Sequence, residues 1–205
     1  MNEKFFDMKK DKQDRIINGA MKVFAVDSYC HASTDDMVRE AQISKGLLFH
    51  YFENKIGIYR FVYEYSVRFL CLEIKRQIPG PAKDYFGLVD QVLKAASTAA
   101  GQYPYILLFL LRVREETDEE AKLVTAEMGS RLTQLLEELK GQADKMILSQ
   151  KIDPGVFTRT MEYAIIGEIR ECYRHNVTDS KFLYERLSQY VQMMNNVSMR
   201  SCSNP

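Results

Sequence analysis

"ISKGLLFHYFENK", residues 43 to 55, crowds three aromatic rings and an imidazole between two lysines. A chain folding in water normally hides such rings or dilutes them among polar residues. Ser44 opens the stretch as a helix N-cap, because its hydroxyl can accept an orphan N–H of the first turn. Leu48 and Phe52 lie i, i+4 on one helix face. That spacing predicts that they pack inward, on Phe24 and on a long following helix, and leaves Phe49, His50 and Tyr51 facing outward or along the surface. The blander alternative is that all the rings fill a small core.

Outward from this stretch the chain reads as helices. Upstream, Ile16, Ile17, Ala20, Met21 and Phe24 share one face of a segment from about Lys10 to Val26. A short helix follows from "STDD", with Ser33 as its cap and Asp36 as a short-armed capping-box partner. Only Gln42 and Ile43 separate it from the helix that Ser44 opens. Downstream, Asn54 caps a long segment from Lys55 to about Ile78, which "PGP" (Pro79 to Pro81) ends. Five more helices follow at roughly 84–100, 104–115, 118–148, 154–175 and 179–199, the third striped by Met128, Leu132, Leu135, Leu139 and Met146. Nothing alternates with period two over a useful length, so the chain is expected to be all-α, with about nine helices and no sheet.

Two short helices joined by a very tight turn and packed on a longer one describe a helix-turn-helix. The opening stretch is then its second helix, whose N-terminal residues enter the major groove of double-stranded DNA. Ser44 and Lys45 sit where unpaired N–H groups and the helix dipole favour an anion. Gly46 removes a side chain where a DNA backbone comes close, and His50, Tyr51 and Lys55 can reach phosphate oxygens.

The segment "TDDMVREAQISKGLLFHYFENKIGIY", with Phe24 and Tyr29 before it, resembles the DNA-binding segment of TetR/AcrR-type bacterial transcriptional regulators over about residues 10–60. The resemblance implies operator-contact roles for Ser44, Lys45, Gly46, Leu47, Phe49, His50, Tyr51 and Lys55, with Ser33 and Thr34 at the start of the preceding helix. It also implies a C-terminal domain that senses a ligand and dimerises. Three positions depart from the family pattern. Gln42 stands where the turn usually has glycine, and Ser28 where the loop after the first helix does. Phe49 replaces a usual tyrosine, keeping the ring and losing a hydroxyl that can bind phosphate.

The expected organisation is a head over residues 8–53, a connecting helix over 54–78 and a ligand-binding and dimerisation domain over 79–205. Leu183, Leu187, Tyr190, Met194 and Val197 recur at 4, 3, 4, 3 spacing, the seam of helices crossing at a shallow angle. Gly167, in "MEYAIIGEI", permits close helix approach. Those residues mark a homodimer interface, with internal packing of the seam as the alternative. A pocket for a small, largely apolar effector is expected among Phe86, Tyr103, Tyr105, Phe109, Met128, Met161 and Tyr163, since rings and thioethers are large and adaptable, though they also fill ordinary cores. Glu162 and Glu168 interrupt an apolar helix, so a buried carboxylate there needs a cationic ligand, Arg170 or Arg174 as partner.

Composition sets bounds on the rest. The 205 residues carry 28 Lys and Arg against 28 Asp and Glu, so any nucleic-acid surface is a local patch and not a global field. Cys30, Cys71, Cys172 and Cys202 have no metal-ligand spacing, and Cys172 with His175 supplies only two ligands. No metal or cofactor is expected. His31, His50 and His175 are scattered, and no nucleophile–base pair or phosphate-cradling loop appears, which argues against an enzyme. The longest apolar run, "YILLFLL" from Tyr105 to Leu111, is far short of the ~20 residues that span a bilayer. A soluble, cytoplasmic protein without membrane association is expected. The leading functional reading is a homodimeric repressor released from a palindromic operator by its effector. The alternative is a DNA-bound adaptor whose C-terminal domain binds a protein partner.

Overall fold

A computed structural model of the chain describes residues 3–82, 84–142 and 153–202, with side chains from Lys4 to Ser198 within them. The expected continuation of the seventh helix to residue 148, with Met146, lies outside the described residues. Among those described there are nine α-helices and no strand. A short 3-10 turn, Glu3–Asp7, is followed by α1 (Lys10–His31), α2 (Thr34–Ala41), α3 (Lys45–Phe52), α4 (Lys55–Gln77) and α5 (Tyr85–Gln102). The remaining helices are α6 (Ile106–Arg114), α7 (Glu119–Gln142), α8 (Pro154–Arg174) and α9 (Ser180–Cys202). No described helix is long and apolar enough to cross a membrane.

The chain divides into two compact units, and two of the three boundaries fall inside helices, α4 and α7. Unit one holds residues 1–69 and 103–132; unit two holds 70–102 and 133–205. The Pro79–Pro81 break expected from sequence lies between the end of α4 and the start of α5.

In unit one, α1 packs on α2 and α6. The face read from sequence is the buried one: Ile16, Ile17, Ala20, Met21 and Phe24 are each at most 2% exposed. Phe24, Tyr59 and Phe109 form an aromatic triangle, with centroids 4.9 to 6.1 Å apart. Gly19 is where α2 crosses α1. A Cβ there would lie 2.9 Å from the Ala41 nitrogen and 3.2 Å from the Ala41 Cβ, so the crossing needs its missing side chain. An eight-residue helix such as α3 is too short to hold itself in water. Burial of Leu48 and Phe52 anchors it, contributing about 1.5–3 kcal/mol for each side chain.

In unit two, α9 packs on α5 and α8. Ala95, Ala96, Ala99 and Ala100 of α5 are buried, as are Leu183, Leu187, Val191 and Met194 of α9. The Ser97 hydroxyl donates to the Ser180 carbonyl at 2.7 Å, and the Tyr184 hydroxyl to Asp90 Oδ1 at 2.7 Å. Asp153 caps α8 by accepting the Val156 N–H at 2.7 Å, with Pro154 in the first turn, where its lack of an N–H costs nothing.

Candidate nucleic-acid interface

The turn between α2 and α3 is built on Gln42, whose backbone is left-handed at φ 54°, ψ 51°. Its N–H and that of Ile43 donate back to the Arg39 and Val38 carbonyls at 3.2 and 3.0 Å, which closes α2 in two residues. Ser33 Oγ then accepts the Asp35 N–H, and Ser44 Oγ the Leu47 N–H, both at 3.2 Å. Both helices of the pair thus begin with a serine cap, leaving further first-turn N–H groups for an anion.

On α3 the residues sort as their spacing predicts. Leu48 and Phe52 are buried; Ser44, Lys45, Gly46 and His50 are exposed; Leu47, Phe49 and Tyr51 are half-exposed. Ser33 and Thr34 are half-exposed at the start of α2. A Cβ added at Gly46 would meet nothing within 4 Å, so the surface there is open to a close approach. The two lysines that frame the stretch are held differently. Lys45 Nζ lies 2.9 and 3.1 Å from the two Asp35 carboxylate oxygens, an exposed pair. Lys55 Nζ turns inward. It donates to the Tyr29 carbonyl at 2.9 Å, approaches those of Cys30 and Ala32 at 3.4 Å, and sits 4.6 Å above the Tyr29 ring.

That inward site exists because α1 breaks at Ser28, where φ is 62° and ψ 175°. The break frees the Tyr29 N–H, which donates to Glu116 Oε2 at 3.1 Å, while Glu116 Oε1 accepts the Thr117 and Asp118 N–H groups at 2.9 and 3.1 Å. Glu116 is buried, so these three donors are what make its charge tolerable. Burial, and then the charges of Glu120 and Asp118, push the Tyr29 phenol up to about 12. Sequence reading missed Glu116, because nothing in "EETDEE" marks one glutamate as the buried one. It also missed Phe5, buried against α3, although Phe5 and Phe6 stand together between charged residues, Glu3 and Lys4 before them and Asp7 after.

Residues 16–60 match the model of the bacterial regulatory proteins of the tetR family. These residues form a head of the tetR type. No curated protein sequence matches the chain. Among solved structures, it is similar to a tetR family transcriptional regulator from Chloroflexus aurantiacus, with a TM-score of 0.61, 17% identity and coverage of 97% of this chain and 96% of that one. It is also similar to the TetR family transcriptional regulator PfmR from Thermus thermophilus, with a TM-score of 0.56, 17% identity and coverage of 89% and 97%. At these identities the likeness is one of fold, and it extends over nearly the whole length. A head of this type is the DNA-binding part of a bacterial transcription regulator.

The residues expected to line an effector pocket fall into both units. Tyr103, Tyr105, Phe109 and Met128 belong to unit one, and Phe86, Met161 and Tyr163 to unit two. Phe109 is fully buried in the aromatic triangle on α1. Tyr103 is also fully buried, with its hydroxyl 2.7 Å from Asp14 Oδ1 and 2.6 Å from the Tyr65 hydroxyl; burial, then these bonds, push its phenol far up. Tyr163 is 68% exposed and points away from the core of unit two. Phe86 and Met161 remain buried in unit two, where Phe157, one turn before Met161, meets Phe86 at 6.1 Å.

The expected dimer residues are also redistributed. Leu183, Leu187 and Met194 are buried inside unit two, whereas Gly167 is exposed with nothing near its missing Cβ. Tyr190 is half-exposed and donates to Glu168 Oε2 at 2.8 Å. Glu168 is the buried carboxylate of α8, and its cation is Arg186 of α9, at 2.6 Å, in place of the expected Arg170 or Arg174. The Arg186 hydrogen bond, reinforced by Tyr190, holds the Glu168 carboxyl below the usual range against the opposing effect of burial. Glu162 is exposed.

Proposed function

We propose that the chain is a homodimeric repressor that reads a palindromic operator with α3 and is released by a small, largely apolar effector. The observation that carries the DNA part is the division of α3. One face is spent on the core, and the other presents Ser44, Lys45, Gly46 and His50 with the half-exposed rings of Phe49 and Tyr51. Lys45 is the phosphate cation in this reading. Leu47, Phe49 and Tyr51 supply apolar contact to sugar and thymine methyl groups, and Ser33 and Thr34 bind the neighbouring phosphates. Lys55 supports the interface from behind, by fixing the carbonyls at the end of α1.

The dimer face in this reading is the outer side of α8 and α9, where Tyr163, Gly167, Phe182, Met193 and Val197 are exposed. Large apolar side chains gathered on one helix pair call for a cover. The effector site is the apolar cluster of Phe86, Phe157 and Met161. An effector that binds there releases DNA only if it prefers the DNA-free state, and by linkage DNA then weakens effector binding by the same factor.

The test is a salt titration of binding to a palindromic duplex selected by the protein from a random pool. Lys45→Ala should weaken binding and reduce the salt slope by about one phosphate per protomer. Lys55→Ala should instead lower the melting temperature, since it strips the end of α1 of its charged donor. A Lys45→Ala slope equal to that of wild type would show that α3 does not lie on the phosphates.

A further inference from the structure

We propose that the N-terminal turn Glu3–Asp7 is a positioning element of the DNA interface, with Phe5 acting on operator affinity through Tyr51. Phe5 is 0% exposed, although it lies in a leader whose neighbours are mostly charged. Its ring meets four others: Phe6 edge-on at 5.5 Å, Tyr51 edge-on at 5.7 Å, Phe52 at 5.2 Å and Phe61 at 5.0 Å. The turn is clamped from below by a buried carboxamide. Gln13 of α1 donates to the Phe6 carbonyl at 3.0 Å and to the Met8 carbonyl at 2.7 Å, so its burial is offset by two bonds that fix the backbone on either side of Asp7. Tyr51 in turn stands edge-on to His50, 4.9 Å away. The ring of Tyr51 is therefore held between Phe5 and an exposed imidazole on the outer side of α3. Phe52 and Phe61 need a lid, and any apolar residue would provide it; a ring edge presented to Tyr51 does something further. It removes rotamers from a half-exposed side chain before DNA arrives, so that less freedom is lost on binding. Phe5 touches no DNA in this scheme, and the inference rests on the reading that Tyr51 does.

The experiment is a double-mutant cycle on the full chain, with Phe5→Leu, Phe5→Ala, Tyr51→Ala and the two combinations. Binding to the selected palindromic duplex is read by fluorescence anisotropy at 10 °C, with folding of each variant confirmed by circular dichroism. Phe5→Ala should weaken binding about tenfold, the effect of losing one aromatic pair. Phe5→Leu, which keeps the lid and loses the ring edge, should weaken it by about threefold on the same grounds. In the Tyr51→Ala background either change should alter affinity less than about twofold, because the residue it acts through is gone. If Phe5→Ala does not fold, Phe5→Leu alone decides. Equal losses in both backgrounds, or no loss from the folded Phe5→Leu variant, would overturn the proposal and leave Phe5 as core packing. Wild-type affinity for Tyr51→Ala would overturn the reading of Tyr51 as a DNA contact, and the proposal with it.

Discussion

Ser28 and Gln42 stand where the family pattern has glycine, and both backbones have positive φ. The two are not equally strained. At φ 62°, ψ 175°, Ser28 occupies a region essentially open only to glycine, at a cost of about 1–3 kcal/mol for any other residue. Gln42, at φ 54°, ψ 51°, is in the ordinary left-handed well, which costs less, and its side chain accepts from Arg15 at 3.4 Å. Glycine itself loses about 0.4–1 kcal/mol through the greater freedom of the unfolded chain. The balance differs accordingly. Ser28→Gly should stabilise by about 1 kcal/mol, a rise of about 2–4 °C for a chain of this size, whereas Gln42→Gly should change stability by less than about 0.5 kcal/mol. Scanning calorimetry of the two variants decides; a larger gain at Gln42 would mean that the strain sits in the turn between α2 and α3. The strain at Ser28 is held in place by what it builds. The same break turns the Tyr29 N–H to Glu116 and the carbonyls of Tyr29, Cys30 and Ala32 to Lys55.

At the scale of elements, α8 and α9 each carry two apolar faces, and the two are separable by mutation. Leu187 is 1% exposed and Met193 52%. A glutamate at 187 buries a charge inside unit two, so Leu187→Glu should unfold it. Met193→Glu should leave the melting curve of the protomer intact and give monomers by light scattering; a stable dimer from Met193→Glu would move the interface off this face. Between the helices, Glu168 is bound by Arg186 and Tyr190. Its folded-state pKa is depressed, so its contribution is complete above the unfolded carboxylate value of about 4.3 and is lost as pH falls through the folded value. Tyr190→Phe removes one donor and should cost about 1 kcal/mol at pH 7 in urea unfolding, with a smaller loss below pH 4. A constant difference across that range would mean that the carboxylate does not carry the bond. The helices themselves were legible from apolar period and punctuation: residues 55–78 were expected and Lys55–Gln77 is observed. Their destinations were not. The stripe through Leu183, Leu187 and Met194 has the same spacing whether a partner or the other helices of unit two cover it. In the head, the sorting of α3 followed from i, i+4 spacing. The use of Lys55 did not, because a lysine beside a phosphate and one on backbone carbonyls look alike in sequence, and the carbonyls become available only through the break at Ser28.

For the molecule as a whole, charge is the constraint on how it finds DNA. The formal net charge is zero, and residues 1–78 carry 13 Lys and Arg against 11 Asp and Glu. Five of these cations are matched locally: Lys10 with Asp14, Lys22 with Glu40, Arg39 with Asp36, Lys45 with Asp35 and Arg60 with Glu64. Sequence-independent binding comes from cations that release counterions from the phosphates. Here those cations already have carboxylate partners, so binding to random DNA should be weak, and the operator complex should show a shallow salt slope. Asp35 is the instructive case, because its carboxylate lies at the first turn of α2 on the one exposed lysine of α3, where a phosphate would compete with it. Each surface pair is worth only about 0.2–1 kcal/mol, so operator DNA can displace the carboxylate at little cost, while random DNA has few other contacts with which to offset it. Asp35→Asn removes the competitor and keeps the shape. It should tighten binding to random duplex several-fold more than binding to the selected palindrome, and steepen the salt slope by about one per protomer. Competition anisotropy at about 50 and 200 mM salt, the range over which phosphate contacts change affinity most, measures both quantities on one sample. Equal gains for both duplexes would make Asp35 a uniform brake on affinity; no gain for random duplex would show that the Lys45 pair is absent in solution and that discrimination rests on the α3 side chains alone.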